Sequence, residues 1–297
     1  MPSVINFPYQ VPIDSIKLGW DVSIHLKDKR VYFLHSRFGL PGATVGRGKL
    51  LGRFDPSDLP VSRWSPVYVD DIYVLQWYIP ARAASSMIPS KVSGIIWHMK
   101  GEDFFDFLYA VPLALGISEL MKAIQNISEI EIDYLTFIPC HLNNYRSLYQ
   151  RPALNYYLGS AIQLLSQTPL LEDKICNGEC LALLVNIFTG IPVIKGAVIK
   201  DSGMQIRDAL TYSQRYQFAG QWYISGDTVE KEEFIRDSNY IIGFECSTLS
   251  NKDLKGRKVA IVDDLVTSGS TANRCAEILK THFEVSKVYV FAGGKTI

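Results

Sequence analysis

The sequence predicts an α/β protein in which a parallel sheet is covered by helices on both faces. Helix-patterned and strand-patterned stretches alternate along most of the chain, which is the order of βαβ units. The run 259–262 reads Val-Ala-Ile-Val with no polar residue between the apolar ones, as in a strand that is buried on both faces. The length of 297 residues suits one large domain, or one domain with a smaller appendage.

The individual elements follow from hydrophobic periodicity and segment length. Apolar residues at helical spacing predict helices at 104–125, 152–166, 179–188 and 272–282. Short runs rich in β-branched and aromatic residues predict strands at 132–138, 193–199, 240–246, 258–262 and 287–291. Because helices separate most of these strands, parallel pairing is expected.

The first 66 residues differ in character and are rich in strand patterns. The segments 22–26 and 31–34 flank the turn-like sequence Lys-Asp-Lys-Arg, which predicts a hairpin. The segment 55–66 carries three prolines and is the best candidate for a boundary. We therefore expect a small β-rich N-terminal region at 1–66, forming a hood or appendage, and an α/β domain at 67–297.

The charge balance argues against a protein built to coat nucleic acid. The 30 Lys and Arg residues are matched by 30 Asp and Glu residues, whereas such proteins carry a large basic excess. The window 17–53 is a local exception, with eight Lys and Arg against two Asp and with Tyr and Phe between them. A solvated basic face is the favoured interpretation of this window, and a nucleic-acid surface stays open as the alternative.

Cysteine use and hydropathy indicate a reduced, cytoplasmic protein. The five cysteines are scattered and odd in number, so a disulfide framework is not expected. Residues 1–18 lack the basic flank and apolar core of a secretory signal. The longest apolar stretch, 104–121, is interrupted by Asp106, Pro112 and Glu119, so it predicts a buried helix and no membrane contact.

The most informative stretch comes directly after the apolar run 259–262. Two carboxylates, Asp263 and Asp264, end the predicted strand, and a polar loop leads into the next helix. The loop consists of Val266, Thr267, Ser268, Gly269, Ser270 and Thr271. The first N–H groups of a helix lack intrahelical partners and carry partial positive charge, so such a loop suits a phosphate without any lysine. Paired carboxylates accept hydrogen bonds from vicinal hydroxyls, which extends the prediction to a sugar phosphate.

This stretch, 259–271, resembles the signature of type I phosphoribosyltransferases, which bind 5-phosphoribosyl 1-pyrophosphate (PRPP). The chain is most similar to the ComF-like branch, because further pieces follow in the expected order. They are Gly-Ile-Ile-Trp-His-Met-Lys-Gly at 94–101, Ile-Asp-Tyr-Leu-Thr-Phe-Ile-Pro-Cys-His at 132–141, Arg-Pro-Ala-Leu-Asn at 151–155 and Thr-Tyr-Ser-Gln at 211–214. The four-cysteine zinc module of many ComF-like proteins has no counterpart, since the first cysteine is Cys140.

The resemblance implies a type I phosphoribosyltransferase-like fold and a glycosyltransferase of nucleotide metabolism that depends on Mg²⁺. Asp263 and Asp264 would act in catalysis by holding the ribose hydroxyls, and the loop 266–271 would hold the 5-phosphate. Pyrophosphate would lie at the turn after Pro139, under the polar stretch 200–221, which resembles a mobile loop. The residues expected to contact pyrophosphate are Cys140, His141, Arg146, Arg151, Arg207 and Arg215.

Other functions stay open on the sequence alone. Receiver domains also end a strand in two Asp residues that hold magnesium, but the 33 residues at 265–297 are too few for their remaining units. A non-catalytic PRPP-binding regulator, a DNA-associated ComF-like protein and an effector controlled by a partner protein are the alternatives. The expected partners are PRPP and a small-molecule acceptor, together with a second copy of the chain or a partner protein. No pattern identifies the acceptor, whose determinants are expected in residues 1–90 or 201–238.

Overall fold

In this computed structural model the described residues are 2–6, 22–27, 30–35, 53–54, 68–78, 91–99, 109–128, 130–139, 146–147, 174–175, 177–200, 212–226 and 245–296. The first seven strands along the chain are β1 (Ser3–Asn6), β2 (Val22–Lys27), β3 (Arg30–His35), β4 (Arg53–Phe54), β5 (Asp71–Tyr78), β6 (Tyr134–Phe137) and β7 (Arg146–Ser147). The next seven are β8 (Lys174–Ile175), β9 (Val193–Lys195), β10 (Val198–Lys200), β11 (Tyr223–Ser225), β12 (Glu245–Thr248), β13 (Lys258–Val266) and β14 (Lys287–Thr296). The helices are α1 (Lys91–Met99), α2 (Ala110–Ser128), α3 (Asn177–Thr189), α4 (Tyr212–Trp222), α5 (Asn251–Leu254) and α6 (Ser270–His282).

The centre of the fold is an eight-stranded sheet in the order β12-β1-β9-β6-β13-β14-β5-β4. The five adjacent strands β9, β6, β13, β14 and β5 run parallel to one another. Toward the edges, β1 is antiparallel to β9 and β12, and β4 is antiparallel to β5. The predicted α/β fold with a parallel sheet is therefore confirmed for these five strands, and the flanking strands make the whole sheet mixed.

Helices cover both faces of this sheet. Val259 and Ile261 of β13 pack in one apolar cluster, and Ala260 and Val262 pack in another, because successive residues of a strand point to opposite faces. The cluster with Ala260 and Val262 includes α1, α2 and α3, whereas the cluster with Val259 and Ile261 includes α4 and α6. The prediction of helices on both faces is confirmed within the described residues.

The helix α2 overlaps the apolar stretch 104–121, for which the sequence predicts a buried helix. Leu113, Ile117, Leu120 and Ile124 are fully buried, at the i, i+4, i+7 and i+11 spacing of one helical stripe. Of the helices in the described ranges, none is long and apolar enough to cross a membrane.

Several predicted elements are confirmed with shifted bounds. The predicted strands 132–138, 258–262 and 287–291 correspond to β6, β13 and β14, and the predicted helices 104–125, 179–188 and 272–282 correspond to α2, α3 and α6. Both β13 and β14 extend past their predicted ends, because they continue to pair as far as Val266 and Lys295. As a result, β13 contains both Asp263 and Asp264 instead of ending before them.

Two predictions are wrong in part. The single strand predicted at 193–199 is divided into β9, which joins the main sheet, and β10, which pairs with β11. The polar stretch 200–221, predicted as a loop, contains most of α4, because Ala219 and Trp222 anchor that helix in an apolar cluster. For the strand predicted at 240–246, the structure describes only the final part, which begins β12. The helix predicted at 152–166 lies outside the described residues.

Two strands from the first 66 residues belong to the main sheet. They are β1, which lies between β9 and β12, and β4, which pairs with β5. The predicted hairpin is present as β2 and β3, which form a separate two-stranded sheet. The boundary at residue 66 and the hood stay predictions.

An ion-pair cluster ties the start of β5 to α6 and β14. The carboxylate of Asp70 accepts hydrogen bonds from Lys280 Nζ at 2.7 Å, Lys287 Nζ at 2.9 Å and the Val288 N–H at 2.8 Å. Burial by itself would raise the pKa of Asp70, but these hydrogen bonds outweigh it and hold the pKa below its ordinary value.

Replacing Asp70 by Asn is expected to lower the free energy of unfolding at neutral pH by about 2 kcal/mol, since hydrogen bonds to a charged group are lost. Because the pKa of Asp70 is lower in the folded than in the unfolded chain, this stabilisation is present above the ordinary value of 3.8 and is lost as the pH falls below it. Urea unfolding at neutral and acid pH measures the difference. Asp71→Asn is the control, because Asn can still accept the hydrogen bond from the Tyr73 hydroxyl. An effect of Asp70→Asn that does not shrink in acid would contradict this account.

Candidate functional site

The candidate site lies at the carboxyl-terminal edge of the parallel strands, where ligands bind in open α/β sheets. The strand β13 ends there with Asp263, Asp264, Leu265 and Val266, and the three residues 267–269 separate it from the start of α6. The neighbouring strand β6 ends at the same edge, because it is parallel to β13 and pairs with it.

The two aspartates are unequally buried. Asp264 is only 8% exposed, whereas Asp263 is partly exposed. The Asp264 N–H donates a hydrogen bond to Asp263 Oδ1 at 2.9 Å, which fixes the first carboxylate against the backbone of the second. This pair therefore offers carboxylate oxygens in a defined orientation at the end of the strand.

A buried cysteine indicates the side of the sheet to which Asp263 belongs. Burial raises the pKa of the Cys275 thiol, and the negative charge of Asp263 raises it further. Cys275 lies on α6, so Asp263 is close to that helix. The thiol stays protonated, and Cys275 acts as an apolar core residue and not as a nucleophile.

The alternation of side chains along β13 changes at the aspartates. Val259 and Ile261 pack on the α6 side of the sheet, and Ala260 and Val262 pack on the α2 side. Regular alternation would put residue 266 with Ala260 and Val262, but Val266 packs on the α6 side. The pleat therefore shifts by one residue between Val262 and Val266, in the segment that carries both carboxylates. In a regular strand, the consecutive side chains of Asp263 and Asp264 would point to opposite faces of the sheet.

The neighbouring strand β14 shows a matching irregularity. The register of β13 and β14 skips Asp264 and Gly293. A Cβ at Gly293 would lie 2.4 Å from Leu113 of α2, and one at Gly294 would lie 3.0 Å from Ile96 of α1. Two consecutive positions of β14 therefore face the same side of the sheet. A Cβ would clash at Gly293 and would be tightly packed at Gly294. This close approach was not predicted, because the predicted strand ended at residue 291, before both glycines.

The loop between β13 and α6 has an internally bonded conformation. Gly269 adopts the left-handed region with φ of 77°, which favours glycine. The Ser268 and Ser270 hydroxyls lie 2.9 Å apart and share a hydrogen bond. The Asn273 N–H donates to the Gly269 carbonyl at 2.8 Å, which begins α6. The N–H of Ser270, the first residue of α6, donates to the Ser268 hydroxyl at 3.4 Å.

Lys295 approaches this loop from β14 and was missed by the sequence analysis, which predicted a loop that works without any lysine. Its Nζ donates a hydrogen bond to the Thr267 carbonyl at 2.6 Å, and the residue is 8% exposed. Burial lowers the pKa of Lys295 to about 8. A lysine directly after the apolar run of β14 was the available signal, but the predicted strand ended at residue 291.

On the far side of β6, a buried ion pair marks the same edge of the sheet. Lys195, the last residue of β9, pairs with the buried carboxylate of Glu179 at 2.7 Å. Glu179 lies in the first turn of α3, and the adjacent Gly178 is packed so closely that a Cβ there would lie 3.1 Å from the Ile138 carbonyl. The N-terminus of α3 is therefore held against the end of β6 at Ile138.

The predicted site residues fall into two groups. Asp263, Asp264 and the loop 266–271 are brought together at the end of β13. In the predicted pyrophosphate set, Arg146 lies on β7, which pairs with β8 and not with the main sheet. Arg215 lies on α4, on the side of the sheet that carries α6. The remaining members, Cys140, His141, Arg151 and Arg207, lie outside the described residues.

A polar network ties α4 to the helix of the candidate site. The Tyr216 hydroxyl donates to Glu277 at 2.7 Å, and Arg274 also pairs with Glu277 at 2.7 Å. The Arg274 guanidinium donates in addition to the Tyr223 carbonyl, with both N···O distances at 3.3 Å. The part of the predicted mobile loop that the structure describes is therefore packed on α6.

A cavity of about 380 Å³ lies at the opposite, amino-terminal edge of the sheet. Tyr134, Gly256 and Arg257 are among its lining residues, and they stand at or just before the starts of β6 and β13. Its position separates it from the two aspartates, so it is not the cavity of the candidate site.

No family model matches the chain, and no curated protein matches it. Within the described ranges, His, Cys, Asp and Glu side chains form no group of three that could hold a metal ion.

Proposed function

We propose that this protein binds PRPP and transfers its phosphoribosyl group to an acceptor, with release of pyrophosphate. The observation that carries the proposal is the pair of aspartates near the carboxyl end of a central parallel strand, followed five residues after Asp264 by the left-handed Gly269 and then by the start of α6. This arrangement supports the resemblance of residues 259–271 to the type I phosphoribosyltransferase signature.

The loop after β13 would hold the 5-phosphate. The helix dipole and the N–H groups of the first turn of α6 favour a dianion. The hydroxyls of Ser268 and Ser270 add donors, and Gly269 lets the backbone approach closely. Binding at this remote group orients the anomeric carbon without taking part in bond breaking.

The aspartates would act on the ribose. Carboxylates accept hydrogen bonds from the vicinal hydroxyls, and their negative charge favours the cationic sugar that forms as pyrophosphate leaves. The nucleophile, commonly a nitrogen of the acceptor, forms the new bond to the anomeric carbon while the bond to the pyrophosphate oxygen breaks. The bonding electrons leave with pyrophosphate. Asp263 and Asp264 thus contribute orientation and electrostatic stabilisation and exchange no proton.

The described residues fit a magnesium ion that is bound mainly by its substrate. Asp263 and Asp264 are two adjacent carboxylates without a third ligating group in the described part of the chain, and magnesium is commonly held by one or two carboxylates plus substrate phosphates. Bound there, the ion would neutralise the charge of the departing pyrophosphate.

The direct test is ligand binding by the full chain. PRPP with magnesium at a hundred times its dissociation constant is expected to stabilise the folded chain by about 2.7 kcal/mol, or about 4 °C in melting temperature for a chain of this length. Differential scanning fluorimetry measures the shift, with magnesium alone and PRPP alone as controls. The absence of any shift over a wide PRPP range would refute the proposal.

The same preparation separates a transferase from a PRPP-binding regulator. A transferase releases pyrophosphate when a suitable acceptor is added, and a panel of purines, pyrimidines and amines can be scanned for that release. A regulator binds PRPP with the same thermal shift but turns nothing over. Binding without release across the panel would therefore favour the regulator.

A further inference from the structure

Lys295 makes a contact that the proposed chemistry does not yet use. It lies on β14 opposite Val266, the last residue of β13. Its side chain reaches past the end of that strand to the first carbonyl of the loop, that of Thr267. The partner is thus a backbone group of the candidate phosphate loop, 28 residues away in sequence.

The direction of this hydrogen bond orients the whole peptide between Thr267 and Ser268, and not only its carbonyl. A trans peptide is planar, so its C=O and its N–H point in opposite directions. With the Thr267 carbonyl held toward Lys295, the N–H of Ser268 points away from β14. The next peptides are constrained by the left-handed Gly269 and by the hydrogen bond between the Ser268 and Ser270 hydroxyls. The Thr267–Ser268 peptide is thereby oriented by Lys295 of β14, and the following peptides are oriented by contacts within the loop.

We propose that Lys295 is a positioning residue that holds the Thr267–Ser268 peptide so that the Ser268 N–H is presented to a phosphate monoester bound at the start of α6. The inference rests on the proposed function, because the phosphate is that of the sugar phosphate. Its contribution is expected to act on the 5-phosphate, since this hydrogen bond is made at the candidate phosphate loop.

The burial of this lysine supports a role beyond filling space. An ammonium group is costly to bury, and an apolar side chain of similar length would fill the same position without that cost. Lys295 is kept 8% exposed with its ammonium directed at a backbone carbonyl. Substitution by Met removes the donor and the charge while keeping most of the volume, so the variant is expected to fold.

The experiment compares the native chain with Lys295→Met and with Lys252→Met as the matched control. Lys252 is exposed and lies on α5, at the opposite edge of the sheet. Amide hydrogen exchange of the full chain without ligand measures the order of the loop, and calorimetric titration measures the affinity for ribose 5-phosphate and for magnesium pyrophosphate. Ribose 5-phosphate probes the loop, and magnesium pyrophosphate carries no 5-phosphate.

In Lys295→Met we expect faster exchange in the peptide covering 266–272. We also expect about a tenfold loss of affinity for ribose 5-phosphate, the effect of weakening the one hydrogen bond that the Ser268 N–H would donate to the phosphate. Magnesium pyrophosphate should bind as it does to the native chain, and Lys252→Met should change neither readout. Unchanged exchange in Lys295→Met would overturn the role of this residue, as would unchanged ribose 5-phosphate affinity. If the native chain itself binds neither PRPP nor ribose 5-phosphate, the proposed function fails, and the inference about phosphate fails with it.

Discussion

Replacing Asp263 and Asp264 together by Asn is expected to abolish the rise in melting temperature that PRPP and magnesium produce. Asn has nearly the same shape as Asp, and the amide that replaces the Asp263 carboxylate would retain an oxygen to accept the hydrogen bond from the backbone N–H of residue 264. The substitution therefore removes the two negative charges and can keep this hydrogen bond. Ribose hydroxyls and a bound magnesium ion lose their carboxylate partners, and the cationic sugar loses its stabilisation.

We expect these substitutions to lower kcat by a larger factor than they lower the affinity for PRPP. Removing one preorganised electrostatic group from an active site commonly lowers kcat by about a hundredfold to a thousandfold. Each single Asn variant is expected to fall in that range, and the double variant below detection. Pyrophosphate release measures turnover once an acceptor is found, and the thermal shift measures binding before that.

The control for these variants is Glu131→Gln. Glu131 is an exposed carboxylate near Lys258, at the amino-terminal edge of the sheet. Its substitution removes one negative charge far from the candidate site, so the thermal shift with PRPP should be that of the native chain. A double Asn variant that still shifts like the native chain would place PRPP binding elsewhere in the molecule.

The elements that could be predicted from sequence are those whose pattern is local. The run 259–262 predicted a doubly buried strand because all four of its residues are apolar, and they are fully buried. The helix after the phosphate loop was predicted because its apolar residues recur at helical spacing, and Cys275, Ala276, Ile278 and Leu279 are fully buried. The candidate site could be predicted for the same reason, since its aspartates and its loop are contiguous in the chain.

What could not be predicted depends on neighbours that are distant in sequence. Pairing between β13 and β14 carries the strand past Val262 through both aspartates, and no local pattern marks that continuation. Lys295 reaches Thr267 only because the two strands are adjacent in the sheet. The polar composition of 200–221 predicted a loop, but the burial of Trp222 and the contact of Tyr216 with Glu277 favour a helix packed on α6. Tertiary contacts override local preference in each case.

The second large effect is expected from replacing Gly293, one of the two consecutive glycines of β14. In Gly293→Ala the new Cβ would lie 2.4 Å from Leu113 Cδ1 and 3.1 Å from the Asp264 carbonyl. Leu113 is fully buried on α2, so it has little freedom to move away. Overpacking of this kind is expected to lower the free energy of unfolding by about 1–3 kcal/mol. Because the shifted backbone is that of Asp264, PRPP affinity should fall as well, which urea unfolding and thermal titration measure separately.

Two further variants test whether the crowding itself is the cause. Gly94 lies in α1, where a Cβ would meet nothing within 4 Å, so Gly94→Ala is expected to stabilise the chain by about 0.5–1 kcal/mol through helix propensity. Leu113→Ala alone should cost about 2–5 kcal/mol, because it leaves a cavity against β14. In the double variant Leu113→Ala/Gly293→Ala, the loss of stability should be smaller than the sum of the two single losses. The reason is that the new methyl group occupies part of the space that the leucine vacates. Strictly additive losses in the double variant would show that the close approach of Leu113 is not the cause of the Gly293→Ala loss.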